Sequence, residues 1–250
     1  MPIEAVLFDL FNTLIIVRDG DAFYMPALRQ LHKTLTRNCI KISFEEFKHE
    51  YFRVRDRLYA KAEAKLEEPH FNVRISQTLR NLSITLPPDH PIVAEATNIF
   101  CNEFSKHTSL DPDAKTMLPK LSHKYKLGIV SNFAIPECAY TLLKQFKIRQ
   151  YFKTVIISGA INKRKPSTEI FQKALQTLKV QPSNAIFVGD TPKVDIEGAK
   201  NTGMKAVLIE RPLMPEDTPQ PTCQPPEQPP AQPDQTIQSL AELLTILQKY

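Results

Sequence analysis

The chain is poor in cysteine, with four among 250 residues, and Cys39, Cys101, Cys138 and Cys223 stand too far apart to form a C-x-x-C pair. That spacing excludes the common zinc ligand sets, and a disulfide framework is not expected in a chain this long. No apolar run approaches the roughly 18 residues that a membrane helix needs. The sequence opens Met1-Pro2-Ile3-Glu4 and reaches Asp9 with no basic segment followed by a long apolar one, so no secretory leader is read. Blocks of like charge are also missing. The formal net charge of +5 is spread as Lys and Arg among acids, so no nucleic-acid partner is expected. No internal repeat is found. What remains is a soluble protein with reduced thiols, expected in the cytoplasm and off the membrane.

The chain does contain short continuous apolar runs, each ending in turn or polar chemistry. Ala5-Val6-Leu7-Phe8 ends at Asp9, Leu127-Gly128-Ile129-Val130 at Ser131-Asn132, and Val155-Ile156-Ile157 at Ser158-Gly159. Ala185-Ile186-Phe187-Val188 ends at Gly189-Asp190, and Ala206-Val207-Leu208-Ile209 at Glu210. Unbroken runs, rather than alternation, suit strands covered on both faces, as in a parallel sheet. Between them lie helical patterns, such as Leu142, Leu143 and Phe146, or Ile170, Phe171, Ala174, Leu175 and Leu178. The fold class is therefore α/β, a doubly wound parallel sheet.

About 100 residues after the first strand show no convincing strand. Their apolar positions repeat as helices: Phe23, Ala27, Leu28, Leu31 and Leu35; Phe47, Tyr51, Val54, Leu58, Ala62 and Leu66; Val93, Ala96, Phe100 and Phe104. The stretch is too long for a crossover loop and reads as an inserted helical cap with a small core of its own, spanning 17–113. The α/β core is then 1–16 joined to 114–250. Pro87-Pro88 and Asp111-Pro112-Asp113 mark breaks. Between Pro212 and Pro233 fall nine of the 21 prolines, which predicts an extended excursion rather than a sheet strand. A surface loop is the simpler reading of it, and a proline-binding partner the alternative. Leu240, Leu243, Leu244 and Leu247 predict a final amphipathic helix.

In an open parallel sheet, ligands bind at the carboxyl ends of the strands. Here those ends carry Asp9, Ser131-Asn132 and Gly189-Asp190. The first lies in Phe8-Asp9-Leu10-Phe11-Asn12-Thr13-Leu14, and the last opens Gly189-Asp190-Thr191-Pro192-Lys193-Val194-Asp195. Arg164-Lys165-Pro166 places cations just before a helix, where proline suits the first turn. In order and context these segments resemble the four motifs of the haloacid dehalogenase-like hydrolase superfamily, with the helical insertion where its type-one cap falls.

The resemblance implies roles residue by residue. Asp9 matches the nucleophile, a carboxylate able to form a covalent intermediate that water then cleaves. Thr13, Ser131 and Asn132 match residues holding the transferring group, although a turn or cap role also suits Ser131. Lys165 matches the lysine that balances charge on nucleophile and substrate; Lys163 and Arg164 are its rivals, and the Lys-Pro pair selects Lys165. Asp190, with Asp9 and the backbone carbonyl of Phe11, matches the ligands of Mg²⁺, and Asp195 a supporting acid. Arg18 reads as an exposed flanking arginine, with an anionic substrate group as the other reading.

One departure stands out. Phosphatases of this family carry a second aspartate two residues after the first, and here that position is Phe11. Phenylalanine can neither protonate a leaving group nor activate water, help worth roughly 10² to 10⁴ in rate. His70 and Tyr59 are the cap candidates for a substitute, though each reads first as ordinary surface or core. Three readings follow. One is a Mg²⁺-dependent phosphatase or phosphotransferase acting through an aspartyl-phosphate on a small phosphorylated metabolite whose leaving group needs little protonation. The second is a 2-haloacid dehalogenase, since halide leaves without a proton and those enzymes are similar in having an aromatic residue there. The third is a weakly catalytic or non-catalytic module that binds a phosphorylated ligand or a protein. Asp190 and Asp195 favour the first, because halide displacement needs no metal cluster.

Overall fold

A strand that is apolar along its whole length must be covered on both faces, and the strand Ala5–Phe8 is, with all four residues buried. The computed structural model describes residues 2–18, 20–211 and 231–249. In chain order the elements begin with β1 (Ala5–Phe8), β2 (Ile15–Val17), α1 (Tyr24–Arg37), α2 (Phe44–Lys65), α3 (Phe71–Asn81) and α4 (Pro91–Ser105). They continue with β3 (Thr108–Leu110), α5 (Ala114–Ser122), β4 (Lys126–Ser131), α6 (Pro136–Gln145), β5 (Phe152–Ile157), α7 (Ser158–Ile161) and α8 (Thr168–Leu178). The last are β6 (Ala185–Gly189), α9 (Glu197–Asn201), β7 (Lys205–Ile209), β8 (Gln235–Ile237) and α10 (Leu243–Ile246).

Six strands form one parallel sheet in the order β5-β4-β1-β6-β7-β8. The α/β doubly wound expectation is met. From β1 the chain builds outward through β4 and β5, then returns to the other side for β6, β7 and β8, so the order reverses beside β1. That reversal opens a crevice at the strand tips. The sheet has core on both faces: Val6, Phe8, Ile129 and Val188 on one, Leu7, Val130, Ile170 and Phe187 on the other.

The insertion departs from its sequence pattern in two ways. A fourth helix, α3, lies outside the three expected apolar sets, although Phe71, Ile75 and Leu79 recur every four residues along its buried stripe, beside Arg74 and Thr78. The ends of the insertion are also tied together by β2 and β3, which pair antiparallel from Ile15↔Leu110 to Val17↔Thr108. Strands of three residues are too short to show a period. Leu28, Phe47, Phe71 and Phe104 belong to the same contiguous cluster of buried residues as Phe8 and Ile129.

Local signals set the helix starts. Ser43 and Glu46 form a reciprocal capping box at α2, His70 caps α3, and Ser167 caps α8. Pro166 thus stands outside α8 rather than in its first turn, contrary to the sequence expectation. The C-terminal leucines do form a helical segment, but one broken between Leu240–Glu242, α10 and Leu247–Lys249. The proline-rich excursion expected over 212–233 lies outside the described residues through 230. Cys39, Cys101 and Cys138 are free thiols. No helix among the described residues is long and apolar enough to cross a membrane.

Candidate active site

β1 is flanked by β4 on one side and β6 on the other, with Phe8 in register with Ile129 and Val188. The residue after its tip, Asp9, is anchored by its own N–H donating to the Val188 carbonyl at 2.9 Å. The chain then turns back at once. Leu14 N–H and Ile15 N–H both donate to the Leu10 carbonyl, and Asn12 takes a left-handed conformation (φ 56°), which asparagine tolerates better than most residues. This tight turn presents Asp9 to the crevice and buries Thr13.

Lys165 reaches the same point from the loop before α8. Its ammonium donates to Asp9 Oδ1 at 2.5 Å and to Asp195 Oδ1 at 2.6 Å, with the lysine only 2% exposed. Asn132, just past β4, fixes that loop: Lys165 N–H donates to Asn132 Oδ1 at 2.7 Å, and Asn132 Nδ2 donates to the Lys165 carbonyl at 3.0 Å. The neighbouring cations are engaged elsewhere, Lys163 with Glu169 at 3.4 Å and Arg164 with Glu68 at 3.5 Å. Asp195 is held in turn by the Thr191 N–H, which donates to its Oδ2 at 3.0 Å within the π-helical turn Pro192–Ile196. Gly189 is required beside it, because a Cβ there would overlap the Asp195 carboxylate.

Asp9, Asp190 and Asp195 can place one oxygen each within 4.8 Å of one another. Three carboxylates around one ammonium carry an excess of negative charge, and its mark is visible. Burial, with the Asp195 charge adding to it, pushes Asp9 up to about 6 even though Lys165 opposes the shift. Burial followed by the charges of Asp9 and Asp195 pushes Asp190 up to about 7. Burial alone would lower the Lys165 ammonium, but Asp195 and Asp9 outweigh it and hold the pKa above its ordinary value. An oxygen-rich, over-charged cluster of this kind fits a hard divalent cation such as Mg²⁺. The Thr13 hydroxyl is buried with no hydrogen-bond partner within the protein, a costly state that points to a ligand group.

The structure thus brings together Asp9, Lys165, Asp190 and Asp195, with Thr13 buried in the turn beside Asp9 and Ser131 buried at the tip of β4. Asn132 serves the Lys165 main chain through its side chain. Phe11 turns its ring to Phe133 (4.7 Å between centroids) and to Phe104 of α4 (5.5 Å). His70 is occupied as a helix cap, with Nε2 3.0 Å from Glu137. Arg18 is exposed.

Two sets of residues have no sequence signal. Arg211 donates to the carbonyls of Asn12 (2.9 Å) and Thr13 (2.7 Å) and pairs with Asp111 at 2.7 Å, bracing the turn after Asp9 from nearly 200 residues away. The other set, Glu68 and Arg74, lines a cavity of about 360 Å³ between the insertion and the sheet, together with Tyr59, Asn132, Phe133 and Arg164.

A sequence model of the family described as haloacid dehalogenase-like hydrolase matches residues 33–209. The glyceraldehyde 3-phosphate phosphatase of Pyrococcus furiosus is 26% identical over 205 residues, covering 82% of this chain and 80% of that protein. The N-acylneuraminate-9-phosphatase of Rattus norvegicus is 26% identical over 212 residues, covering 82% of each. Among solved structures, a phosphatase from Thermococcus onnurineus is 26% identical with a TM-score of 0.62, covering 98% of both chains. A 2-haloacid dehalogenase from Pseudomonas syringae has a TM-score of 0.70 at 22% identity over 99% of both chains, a likeness of fold.

Proposed function

The chain belongs to the haloacid dehalogenase-like hydrolase family, and we propose that it is a Mg²⁺-dependent phosphomonoester hydrolase that works through an aspartyl-phosphate on Asp9. The observation that carries this reading is the Lys165 ammonium set between Asp9 and Asp195, with Asp190 completing a three-carboxylate cluster. Asp9, Asp190 and the Phe11 carbonyl would hold the ion, and Asp195 would orient both Asp190 and Lys165. When bound, the ion supplies positive charge to the transferring phosphoryl oxygens.

The remaining roles follow from the residues themselves. An Asp9 carboxylate oxygen forms a bond to phosphorus as the bond from phosphorus to the leaving oxygen breaks, and that oxygen departs with the electron pair. Lys165 is placed to stabilise negative charge on Asp9 and on the phosphoryl oxygens, while the partnerless Thr13 hydroxyl and Ser131 would receive the phosphoryl group. Water then cleaves the acyl phosphate, restores the Asp9 carboxylate and releases inorganic phosphate. Phe11 brings no proton to the first step. Substrates with stable leaving anions, such as aryl or acyl phosphates, therefore suit the site better than alkyl phosphates. The similarity to a glyceraldehyde 3-phosphate phosphatase and an N-acylneuraminate-9-phosphatase supports a small phosphorylated metabolite as substrate; those two esters are alkyl phosphates, so the preference for a stable leaving anion rests on Phe11 alone.

Phe11 also favours a second reading, 2-haloacid dehalogenation, in which the leaving halide needs no proton. Asp190 and Asp195 weigh against it, because that reaction has no use for their excess charge. The deciding experiment measures phosphate release from an aryl phosphate and halide release from 2-chloro acids, each with Mg²⁺ or with chelator. Chelator-sensitive phosphate release lost in Asp9→Asn is the expected result. Metal-independent halide release would overturn it.

A further inference from the structure

Arg74 sits on the buried stripe of α3, 6% exposed, where its guanidinium borders the cavity between the insertion and the sheet. Its Nη1 donates to the hydroxyls of Tyr51 (3.2 Å) and Tyr24 (3.3 Å). Its Nε is buried and has no partner at all. Rings surround the charge, with the Tyr59 centroid at 4.9 Å and that of Phe71 at 5.2 Å. Among the described residues no carboxylate forms an ion pair with it. The acid whose charge reaches it, Glu68, is paired with Arg164 at 3.5 Å. A buried guanidinium with an unpaired N–H is costly to maintain, and an anion drawn up to it from the cavity would compensate its charge. Two arginines against one glutamate leave a single positive charge in the cavity, which suits a monoanion.

The cavity also adjoins the proposed reaction centre. Asn132, which lines it, clamps the Lys165 main chain, and Phe133, which also lines it, packs its ring at a tilt against Phe11, two residues after Asp9. Phe23, Phe100 and Phe104 give it an aromatic wall.

We propose that Arg74 is a specificity-determining residue, receiving a carboxylate carried at the far end of an aromatic or otherwise apolar substrate body. The phosphoryl end of such a substrate rests on the function proposed above; the carboxylate end does not. The test measures dissociation constants, with Mg²⁺ present, for phenylphosphonate, for its meta- and para-carboxylated forms and for phenylacetate. The proteins are the full chain, Arg74→Met and Arg74→Lys, each first checked for folding by its thermal transition. At least one carboxylated phosphonate should bind roughly tenfold or more tightly than phenylphosphonate. That gain should vanish in Arg74→Met and partly survive in Arg74→Lys. Equal binding with and without the carboxylate in the full chain, or a gain that persists in Arg74→Met, would overturn the inference while leaving the phosphatase reading intact. If no phosphonate binds, the phosphatase reading falls. Phenylacetate binding lost in Arg74→Met would then still support the carboxylate pocket, and no phenylacetate binding would remove both.

Discussion

Lys165 and Asp195 meet at 2.6 Å with neither side chain more than 2% exposed, and the same ammonium touches Asp9. A cation shared by two buried carboxylates cannot be removed without leaving their charges uncompensated. Lys165→Met should therefore lower stability by about 3–5 kcal/mol in metal-free buffer. It should also reduce turnover of an aryl phosphate by at least about 10². Thermal unfolding and steady-state kinetics check the two effects. Wild-type turnover in the variant would remove Lys165 from the reaction.

Stability should depend on pH through Asp9 and Asp190, raised to about 6 and about 7. A carboxyl raised in the folded state binds its proton more tightly there than in the unfolded chain. Its stabilising contribution is complete below about pH 4 and is lost as pH rises through these two values. Mg²⁺ competes for the same oxygens, so the gain in Tm from millimolar MgCl₂ should be small near about pH 5 and large near about pH 8. Asp190→Asn should reduce it. A gain independent of pH would place the ion elsewhere.

Phe11→Asp should restore a proton donor where the ring now stands. Hydrolysis of alkyl phosphates should rise, by up to about 10². The same change removes ring contacts with Phe133 and Phe104 and should cost about 1–3 kcal/mol. No gain in alkyl-phosphate turnover in the folded variant would show that the crevice is arranged for another leaving group.

Gly189→Ala should act through Asp195 rather than through the strand. The new methyl group would overlap the Asp195 carboxylate, forcing it from the Lys165 ammonium. The expected outcome is a loss of about 1–3 kcal/mol together with a marked fall in kcat. A variant unchanged in Tm and kcat would mean that the end of β6 yields without disturbing the cluster.

The legible parts of this molecule are those written locally. Ala5–Phe8 and Ala185–Gly189 are unbroken apolar runs because both sheet faces are covered, and Asp9 and Asp190 follow their ends directly. Lys165 could be told from Lys163 and Arg164 only by its proline neighbour, and the three side chains do part company in space. Arg74 was out of reach. A charged residue at an inward helical position reads as surface from the sequence, although Phe71, Ile75 and Leu79 beside it keep the helical spacing. Arg211 is silent for another reason: its partners Asn12 and Thr13 lie 199 and 198 residues away, and nothing local announces them.

β1 is translated before either of its neighbours and lies inside the finished sheet, between β4 and β6. Its two neighbours span Lys126–Ser131 and Ala185–Gly189, so both edges of the most apolar stretch near the start of the chain stay open while they are being translated. At about 5–20 residues per second that delay lasts on the order of ten seconds or more, long enough for unwanted pairing between nascent chains. Production of this protein in cells should accordingly benefit from slow translation or from abundant holdase chaperones.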